Sequence, residues 1–165
     1  MRYPASYWIQ KLRLQSHVEG GSFAETYRST AMIYPLPEGF SGPRNISTTI
    51  YFLLEKGQFS AFHRIRSDEG WHFYQGDPLL IFEFDPQGDL QTHLLGADPE
   101  QGQQFQCIVR AGNWFASMPA PGSEYALCGC TVAPGFDFTD FELAQCEELI
   151  RQFPQHAVLI SSLTR

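Results

Sequence analysis

The feature that most constrains the fold is a regular succession of short β-prone runs, each ended by a turn. The breaks are rich in Gly, Pro and Asp, as in EKGQ, QGDP, DPQG and APG. The runs cover residues 22–29, 47–54, 59–65, 70–75, 79–84, 90–95, 104–110, 114–117 and 125–133. Aromatic residues make up 15% of the chain, which favours strands. Short strands with turns about every 8–12 residues predict an all-β sandwich or barrel.

Helical periodicity is confined to the two ends of the chain. Residues 4–16, PASYWIQKLRLQS, read as a short helix. Residues 138–154 carry an apolar stripe, can be capped by Thr139 or Asp140, and stop at a proline. Residues 156–164 are predicted to dock as an extended segment. We therefore expect one domain over residues 1–165, with helices at both ends.

Composition and charge exclude several classes of protein. The net charge of −7 and the pI near 5.1 disfavour binding to a nucleic-acid backbone. The N-terminus lacks the apolar region of a secretory signal, and no run reaches the length of a membrane span. A cytoplasmic protein is expected. Its four cysteines, Cys107, Cys128, Cys130 and Cys146, are then reduced, and we expect buried thiols rather than a zinc site.

One stretch concentrates polar chemistry: GQFSAFHRIRSDEGWHFYQG, residues 57–76. Strand alternation places His63 and Ile65 on one face of the first run, and Glu69 and Trp71 on one face of the second. Two consecutive antiparallel strands would put His63 opposite Glu69 or Trp71. We therefore expect His63 and Glu69 to share one concave interior, with His72 pointing elsewhere.

The spacing in this stretch resembles the first motif of the cupin superfamily. The residues that carry the likeness are Gly57, His63, Ile65, Glu69 and Gly76. In metal-binding cupins the resemblance implies an ion held by two histidines and the glutamate of this motif, plus a histidine from a second motif. Here Ile65 stands where the second histidine is expected.

The second motif should lie in GNWFASMPAPGSEYALCG, residues 112–129, but this segment has no histidine. Glu124 or Tyr125 stands near its place. The resemblance therefore leaves His63 and Glu69 as the only motif ligands, with Glu124 as a possible addition. No spacing argument places His17, His72, His93 or His156. We expect no cofactor, and a metal, if any, on His63 and Glu69.

Longer segments narrow the resemblance to one branch. HVEGGSFAETYRS, HRIRSDEGWHFYQGDPL, QCIVRAGNWFAS and GCTVAPGFDFTDFELA are similar, in collinear order over residues 5–160, to the cupin-5 family, DUF985. This likeness implies a double-stranded β-helix, the cupin jelly-roll barrel, with short N-terminal and C-terminal helices. It also implies a homodimer, and by analogy with sugar-nucleotide epimerase cupins it suggests an epimerase or isomerase.

A metal-free acid–base site is the first functional hypothesis. His63 would remove a proton next to a carbonyl, Glu69 would orient it, and Tyr51 or Tyr74 would return the proton. The substrate would be a sugar- or nucleotide-like metabolite. A non-catalytic module that binds or senses a small molecule, and a metal-dependent cupin enzyme, remain open as alternatives.

Further residues are candidates for contacting the ligand. Thr49 and Tyr51 are predicted to line the cavity while Ile50 and Phe52 pack outside. Alternation places Phe23, Glu25 and Tyr27 on one face of their strand and Arg28 on the other. For Arg28 an ion pair with an acidic residue is favoured over binding of a phosphate. The residues EGG at 19–21 are predicted to turn with positive φ. The ligand-binding candidates are Tyr27, Arg28, Thr49, Trp71, Tyr74, Gln106 and Trp114.

Overall fold

Two antiparallel sheets face each other in the computed structural model, which describes residues 2–36 and 38–165. The strands are β1 (Gln15–Ser16), β2 (Ser22–Arg28), β3 (Met32–Ile33), β4 (Arg44–Asn45), β5 (Thr48–Glu55), β6 (Ser60–Arg64), β7 (Asp68–Gly76), β8 (Leu79–Phe84), β9 (Leu90–Leu95), β10 (Gln106–Val109), β11 (Trp114–Pro119), β12 (Tyr125–Ala133) and β13 (Glu142–Leu143). One sheet has the order β1-β2-β5-β12-β7-β10, and the other β13-β6-β11-β8-β9. Strands β3 and β4 form a separate pair.

Apolar side chains fill the space between the sheets, and three short helices cover parts of their outer faces. Helix α1 (Ala5–Lys11) packs on the outer side of the six-stranded sheet, against Leu53 and Leu127. Helices α2 (Cys146–Gln152) and α3 (Ala157–Ser162) pack on the outer side of the five-stranded sheet, against Phe62 and Phe84. Alternation along each strand thus divides the apolar residues between an inner and an outer layer.

The predicted all-β jelly-roll with short terminal helices is confirmed. Three of the nine runs, at 79–84, 90–95 and 125–133, match observed strands residue for residue. The four two-residue strands were not predicted, because so short a pairing leaves no periodic pattern. In the described part of the chain, no helix has both the length and the hydropathy of a membrane span.

The C-terminal region differs from its prediction in two places. The helix expected over 138–154 begins only at Cys146, because residues 138–140 form a 3₁₀ turn and β13 then pairs with β6. The segment expected to be extended, 156–164, contains helix α3 instead. Its residues Ile160 and Leu163 pack in the outer apolar layer, so tertiary burial stabilises a short helix here.

The expected pairing of the two motif strands is also wrong. Strand β6 lies in the five-stranded sheet and β7 in the six-stranded sheet, so they face each other across the sandwich. His63 and Glu69 still reach a common interior, since each lies on the inner face of its own sheet. Cys128 and Cys130 share the inner face of β12 and are buried and free, as expected.

Candidate functional site

A cavity of about 290 Å³ opens between the two sheets at one end of the barrel. The six-stranded sheet supplies one wall through two neighbouring cross-strand rows on its inner face. One row runs through Arg28, Thr48, Val132 and Glu69, and the next through Glu25, Ile50 and Cys130. His63 and Ile65 form the opposite wall, and His17 and Glu19 lie between the walls. The cavity therefore combines apolar sides with four buried titratable groups.

The Glu19 side chain reaches the cavity because of the turn that follows it. Gly20 and Gly21 have φ values of 116° and 72°, as the EGG sequence predicts. A Cβ atom at Gly20 would collide with the carbonyl oxygen of Phe59, so only glycine fits. The backbone oxygen of Glu19 accepts a hydrogen bond of 2.8 Å from the Ala61 nitrogen. This bond fixes the Glu19 loop beside the start of β6 and brings its carboxyl to His63.

Both ring nitrogens of His63 have partners. Nδ1 lies 2.7 Å from the carbonyl oxygen of Ala61, and Nε2 lies 3.2 Å from Oε2 of Glu19. A carbonyl oxygen can only accept, so Nδ1 carries a proton. In the neutral imidazole Nε2 then has no proton, so any proton shared in its contact with Glu19 comes from the carboxyl group.

Burial favours this neutral form of the pair. It lowers the pKa of His63, against an opposing effect of the Glu69 charge, and it raises the pKa of Glu19. His17 joins the pair from the other side, with Nδ1 3.4 Å from Glu19 Oε2. Burial lowers the pKa of His17 as well. Two imidazoles thus meet at one carboxyl group, and burial favours the uncharged form of all three side chains.

Glu69 differs from Glu19 because its carboxyl has almost no partner. The residue is 7% exposed, and in residues 2–36 and 38–165 only the Cys130 thiol lies within bonding reach of its carboxyl oxygens. Burial raises the pKa of Glu69 to about 7, although the charge of His63 opposes the increase. Glu69 thus faces the cavity with free acceptor capacity and titrates near neutral pH.

The mouth of the cavity is shaped by an ion pair and by an aromatic segment. Arg28 binds Glu25 through two hydrogen bonds of 3.0 and 2.7 Å, which confirms the predicted ion pair. A bulge between Glu25 and Tyr27 brings Arg28 to the same face as Glu25, so the predicted grouping of these side chains is wrong. Phe136 and Phe138 line the mouth beside this pair.

A buried ion pair anchors the aromatic segment. Arg44 donates two hydrogen bonds, of 2.7 and 2.9 Å, to the carboxylate of Asp140. The Phe136 nitrogen also donates to the hydroxyl of Thr48 at 2.9 Å. These bonds tie the segment after β12 to β4 and β5, which holds the mouth in a defined shape.

Most of the predicted ligand contacts lie on the wrong side of the sheet. Tyr27, Thr49, Tyr51, Tyr74 and Gln106 all lie on the outer face of the six-stranded sheet, away from the cavity. The expected orientation of β5 is reversed, because Ile50 and Phe52 point inward and Tyr51 packs toward α1. Apolar residues on the inner face of β5 agree with a narrow barrel whose interior is mostly filled by side chains. Tyr51 and Tyr74 therefore have no access to the cavity described here.

Both predicted tryptophans are buried outside the cavity lining. Trp71 lies in the barrel core, where its ring meets Phe52 edge-on at 5.6 Å. Trp114 lies under the C-terminal helices, with the Arg64 guanidinium 4.5 Å above its ring. Their roles in ligand binding stay predictions, and the structure gives them packing roles.

The residues present do not fit the metal site that the cupin motif implies. Within residues 2–36 and 38–165, no group of three or more His, Cys, Asp or Glu side chains is placed to hold an ion. Ile65 lines the cavity as an apolar wall. Glu124, named above as a possible ligand, lies on the surface and pairs with Lys56.

Sequence reasoning missed His17 and Glu19. Both lie in a loop that precedes β2, so strand alternation says nothing about their direction. The signal that could have found them is the EGG turn, since two successive positive-φ glycines mark a loop that approaches another backbone closely. The other histidines lie elsewhere: His72 contacts Thr131 on the outer face, His93 binds Glu83, and His156 contacts the Gly88 carbonyl.

Comparison with known proteins identifies the relatives of this chain. The model of the family described as "Cupin superfamily (DUF985)" matches residues 6–144. The uncharacterized protein YML079W of Saccharomyces cerevisiae is 31% identical, over 94% of this chain and 83% of its own. The structure of protein SO0799 from Shewanella oneidensis has a TM-score of 0.89 at 39% identity, covering 99% and 98% of the two chains. A hypothetical protein from Leishmania major has a TM-score of 0.90 at 36% identity, covering 98% and 99%.

Proposed function

Because the chain belongs to the DUF985 family of the cupin superfamily, we propose that it binds a small molecule in its barrel and isomerises it by metal-independent proton transfer. The observation that carries this proposal is the cluster in the cavity. Two carboxyl groups and two imidazoles, of Glu19, Glu69, His17 and His63, line one cavity. Acid–base catalysis needs groups that exchange protons near the working pH and touch the substrate.

The roles within the cluster differ from those expected from sequence. Glu69 is the base, since its carboxyl is free to meet a ligand and has a pKa near 7. Glu19 is the acid, because burial raises the pKa of its carboxyl group and the neighbouring His63 is neutral. His63 is then a positioning residue that shares the proton of Glu19. Tyr51 has no role, since its side chain lies on the other face of the sheet.

The reaction is an isomerisation of a hydroxy-carbonyl compound. The Glu69 carboxylate takes a proton from the carbon beside the carbonyl, while Glu19 donates its proton to the carbonyl oxygen. The product of this step is a neutral enediol. Glu69 then returns its proton to the neighbouring carbon, and the second hydroxyl group gives its proton back to Glu19. Protons and charge balance, and each group ends as it began.

Hydrogen exchange tests this proposal. Ketoses and their aldose isomers, incubated in deuterated water at pH 7, should acquire deuterium at the carbon beside the carbonyl, as followed by NMR. Glu69→Gln should reduce the rate by at least about 100-fold, the usual contribution of a positioned acid or base. Tyr51→Phe is the matched control and should keep the parental rate. Equal rates in Glu69→Gln and the parent would reject the assigned base.

The same experiment separates catalysis from simple binding. A module that only binds or senses its ligand would show saturable binding with no deuterium incorporation. The apolar walls at Ile50, Ile65 and Val132 support binding in either case. Only the free carboxyl of Glu69 favours the enzyme over the binding module.

We also propose a homodimer formed through the outer face of the six-stranded sheet. One cross-strand row on that face runs from Tyr27 through Thr49, Thr131 and Gly70 to Ile108. Tyr27 and Ile108 are large apolar residues left exposed in the single chain. Sedimentation velocity at micromolar protein concentration tests for the dimer. A sedimentation coefficient of a monomer would contradict the proposal.

A further inference from the structure

In the part of the chain that the structure describes, the mouth of the cavity offers no free positive charge. Four of the five N–H bonds of the Arg28 guanidinium already have partners: two go to the Glu25 carboxylate, one to Asn45 Oδ1 at 2.9 Å, and one to the Phe136 carbonyl at 3.0 Å. Glu25 also neutralises its charge. Asp137 adds a carboxylate at the same rim, where hydrogen bonds from Thr139 hold its pKa below the usual range. Among the described lining residues the rim is therefore negative, and its one arginine, Arg28, is already paired.

The side chains inside the cavity show the same distribution of charge as those at its rim. Among the described residues that line the cavity, Arg28 is the one lysine or arginine. His17 and His63 are neutral at neutral pH, because burial lowers the pKa of each. Glu19 and Glu69 are acceptors or, when protonated, neutral donors of one O–H each, so neither supplies a positive charge. A phosphate or carboxylate ligand would lose its hydration and gain no ion pair, and it would face these carboxyl groups at close range.

We infer that the cavity selects an uncharged molecule bearing hydroxyl or N–H donors, and that Glu25 is the residue that excludes phosphates and carboxylates. Ligand donors would meet Glu69, and an apolar or flat part of the molecule would lie against Phe136 and Phe138. The cavity of about 290 Å³ fits a small ring rather than a nucleotide. This inference deepens the proposed function, on which it rests for the identity of the site, and it sets aside the nucleotide-like substrate expected from sequence.

Two probes of similar shape and different charge test the selection. Benzyl alcohol and phenyl phosphate are titrated into the full-length protein at pH 7.5, and binding is followed through the NMR signals of the His17 and His63 rings. In the parent, we expect benzyl alcohol to shift both rings and phenyl phosphate to shift neither. This comparison requires no variant.

Glu25→Gln should reverse the exclusion. The substitution keeps the side-chain volume but removes the charge that neutralises Arg28, so phenyl phosphate should bind at least tenfold more tightly than to the parent. The matched control is Glu142→Gln, which frees Arg64 from a similar surface ion pair outside the cavity. It should leave phenyl phosphate binding at the cavity histidines unchanged.

Three results would overturn the inference: phenyl phosphate binding to the parent as tightly as benzyl alcohol, no gain in Glu25→Gln, or no response of either ring to benzyl alcohol. None of these measurements depends on turnover. A failure of deuterium exchange would therefore reject the proposed reaction and leave the charge selection standing, while phosphate binding in the parent would do the reverse.

Discussion

Two buried histidine–glutamate pairs lie on the inner side of the barrel, one on each side of Phe115. Phe115 on β11 is directly opposite His63 on β6 and Glu83 on β8, so all three side chains point inward in one row. His93 Nε2 lies 2.9 Å from Glu83 Oε2, and His63 Nε2 lies 3.2 Å from Glu19 Oε2. The two pairs join the same types of side chain at similar distances.

What differs is how the carboxyl groups are satisfied. Oε1 of Glu83 accepts hydrogen bonds from the backbone nitrogen of Arg110 at 2.9 Å and from the side-chain amide of Asn113 at 2.7 Å. Its Oε2 accepts a hydrogen bond from Nε2 of His93. Burial alone would raise the pKa of Glu83, but these donors outweigh it and the pKa is lowered. In the cavity the donors are fewer, the Ser60 hydroxyl for Glu19 and the Cys130 thiol for Glu69, so burial prevails and raises the pKa of both carboxyl groups.

The comparison indicates which of the two sites is suited to the proposed proton transfer. A carboxylate held by three donors stabilises the fold and keeps its charge, so it cannot exchange protons near neutral pH. A carboxyl group that is buried with few donors lowers the stability of the folded state. Its raised pKa also brings its titration close to neutral pH, which the proposed proton transfer requires. Buried His–Glu pairs are thus distinguished by the donors around the carboxyl, which the amino-acid sequence does not display.

The same substitution at both sites should have opposite effects on stability. Glu83→Gln replaces two acceptor oxygens by one and leaves a buried donor unpaired, so we expect the free energy of unfolding to fall by about 3 kcal/mol. Glu69→Gln removes a poorly solvated carboxyl and should leave stability equal to or above that of the parent at pH 7. Urea denaturation measures both. An equal loss in the two variants would show that the sites do not differ as proposed.

The pH dependence of unfolding should sharpen the contrast. The pKa of Glu69 is about 7 in the folded protein against a usual value of 4.5, so between these values the folded state holds a proton that the unfolded state releases. Stability from this group therefore falls as pH rises from 4.5 to 7, by roughly 3 kcal/mol in total at about 1.4 kcal/mol for each pH unit.

The difference between the parent and Glu69→Gln reports mainly this contribution. Glu19 and the two histidines titrate in both proteins, and loss of the Glu69 charge lowers the pKa of His63 further. Urea unfolding at pH 5, 6, 7 and 8 should show the parent losing stability relative to the variant up to pH 7 and no further. Glu83 has a lowered pKa, so its contribution to the free energy of unfolding changes with pH in the opposite direction. This contribution is lost only as the pH falls into the acidic range. Parallel curves for parent and variant would contradict the raised pKa of Glu69.

Much of the fold could be predicted from the sequence, because turns and alternation are local. Runs such as 79–84 and 90–95 show their ends through flanking Asp, Pro and Gly residues. His63 and Glu69 could be predicted as inward-facing residues, since the cupin-like spacing fixes their strands. Tyr51 could not, because alternation gives two faces and does not say which one is inside. Glu19 could not either, since its direction depends on a loop contact with Ala61.

The histidines provide the smallest and most local test of the comparison. Nε2 of His93 donates to a charged, fully bonded carboxylate, so His93→Gln should cost about 1.5 kcal/mol of unfolding free energy, the value of one hydrogen bond to a charged group. Nδ1 of His17 contacts Glu19 only at 3.4 Å, and its ring packs edge-on against Phe23 at 4.6 Å. His17→Gln should therefore cost about 0.5 kcal/mol, a small loss of packing. Thermal or urea unfolding at pH 7 resolves a difference of this size, and a larger loss at His17 than at His93 would place the structural pair in the cavity and the reactive one beyond Phe115.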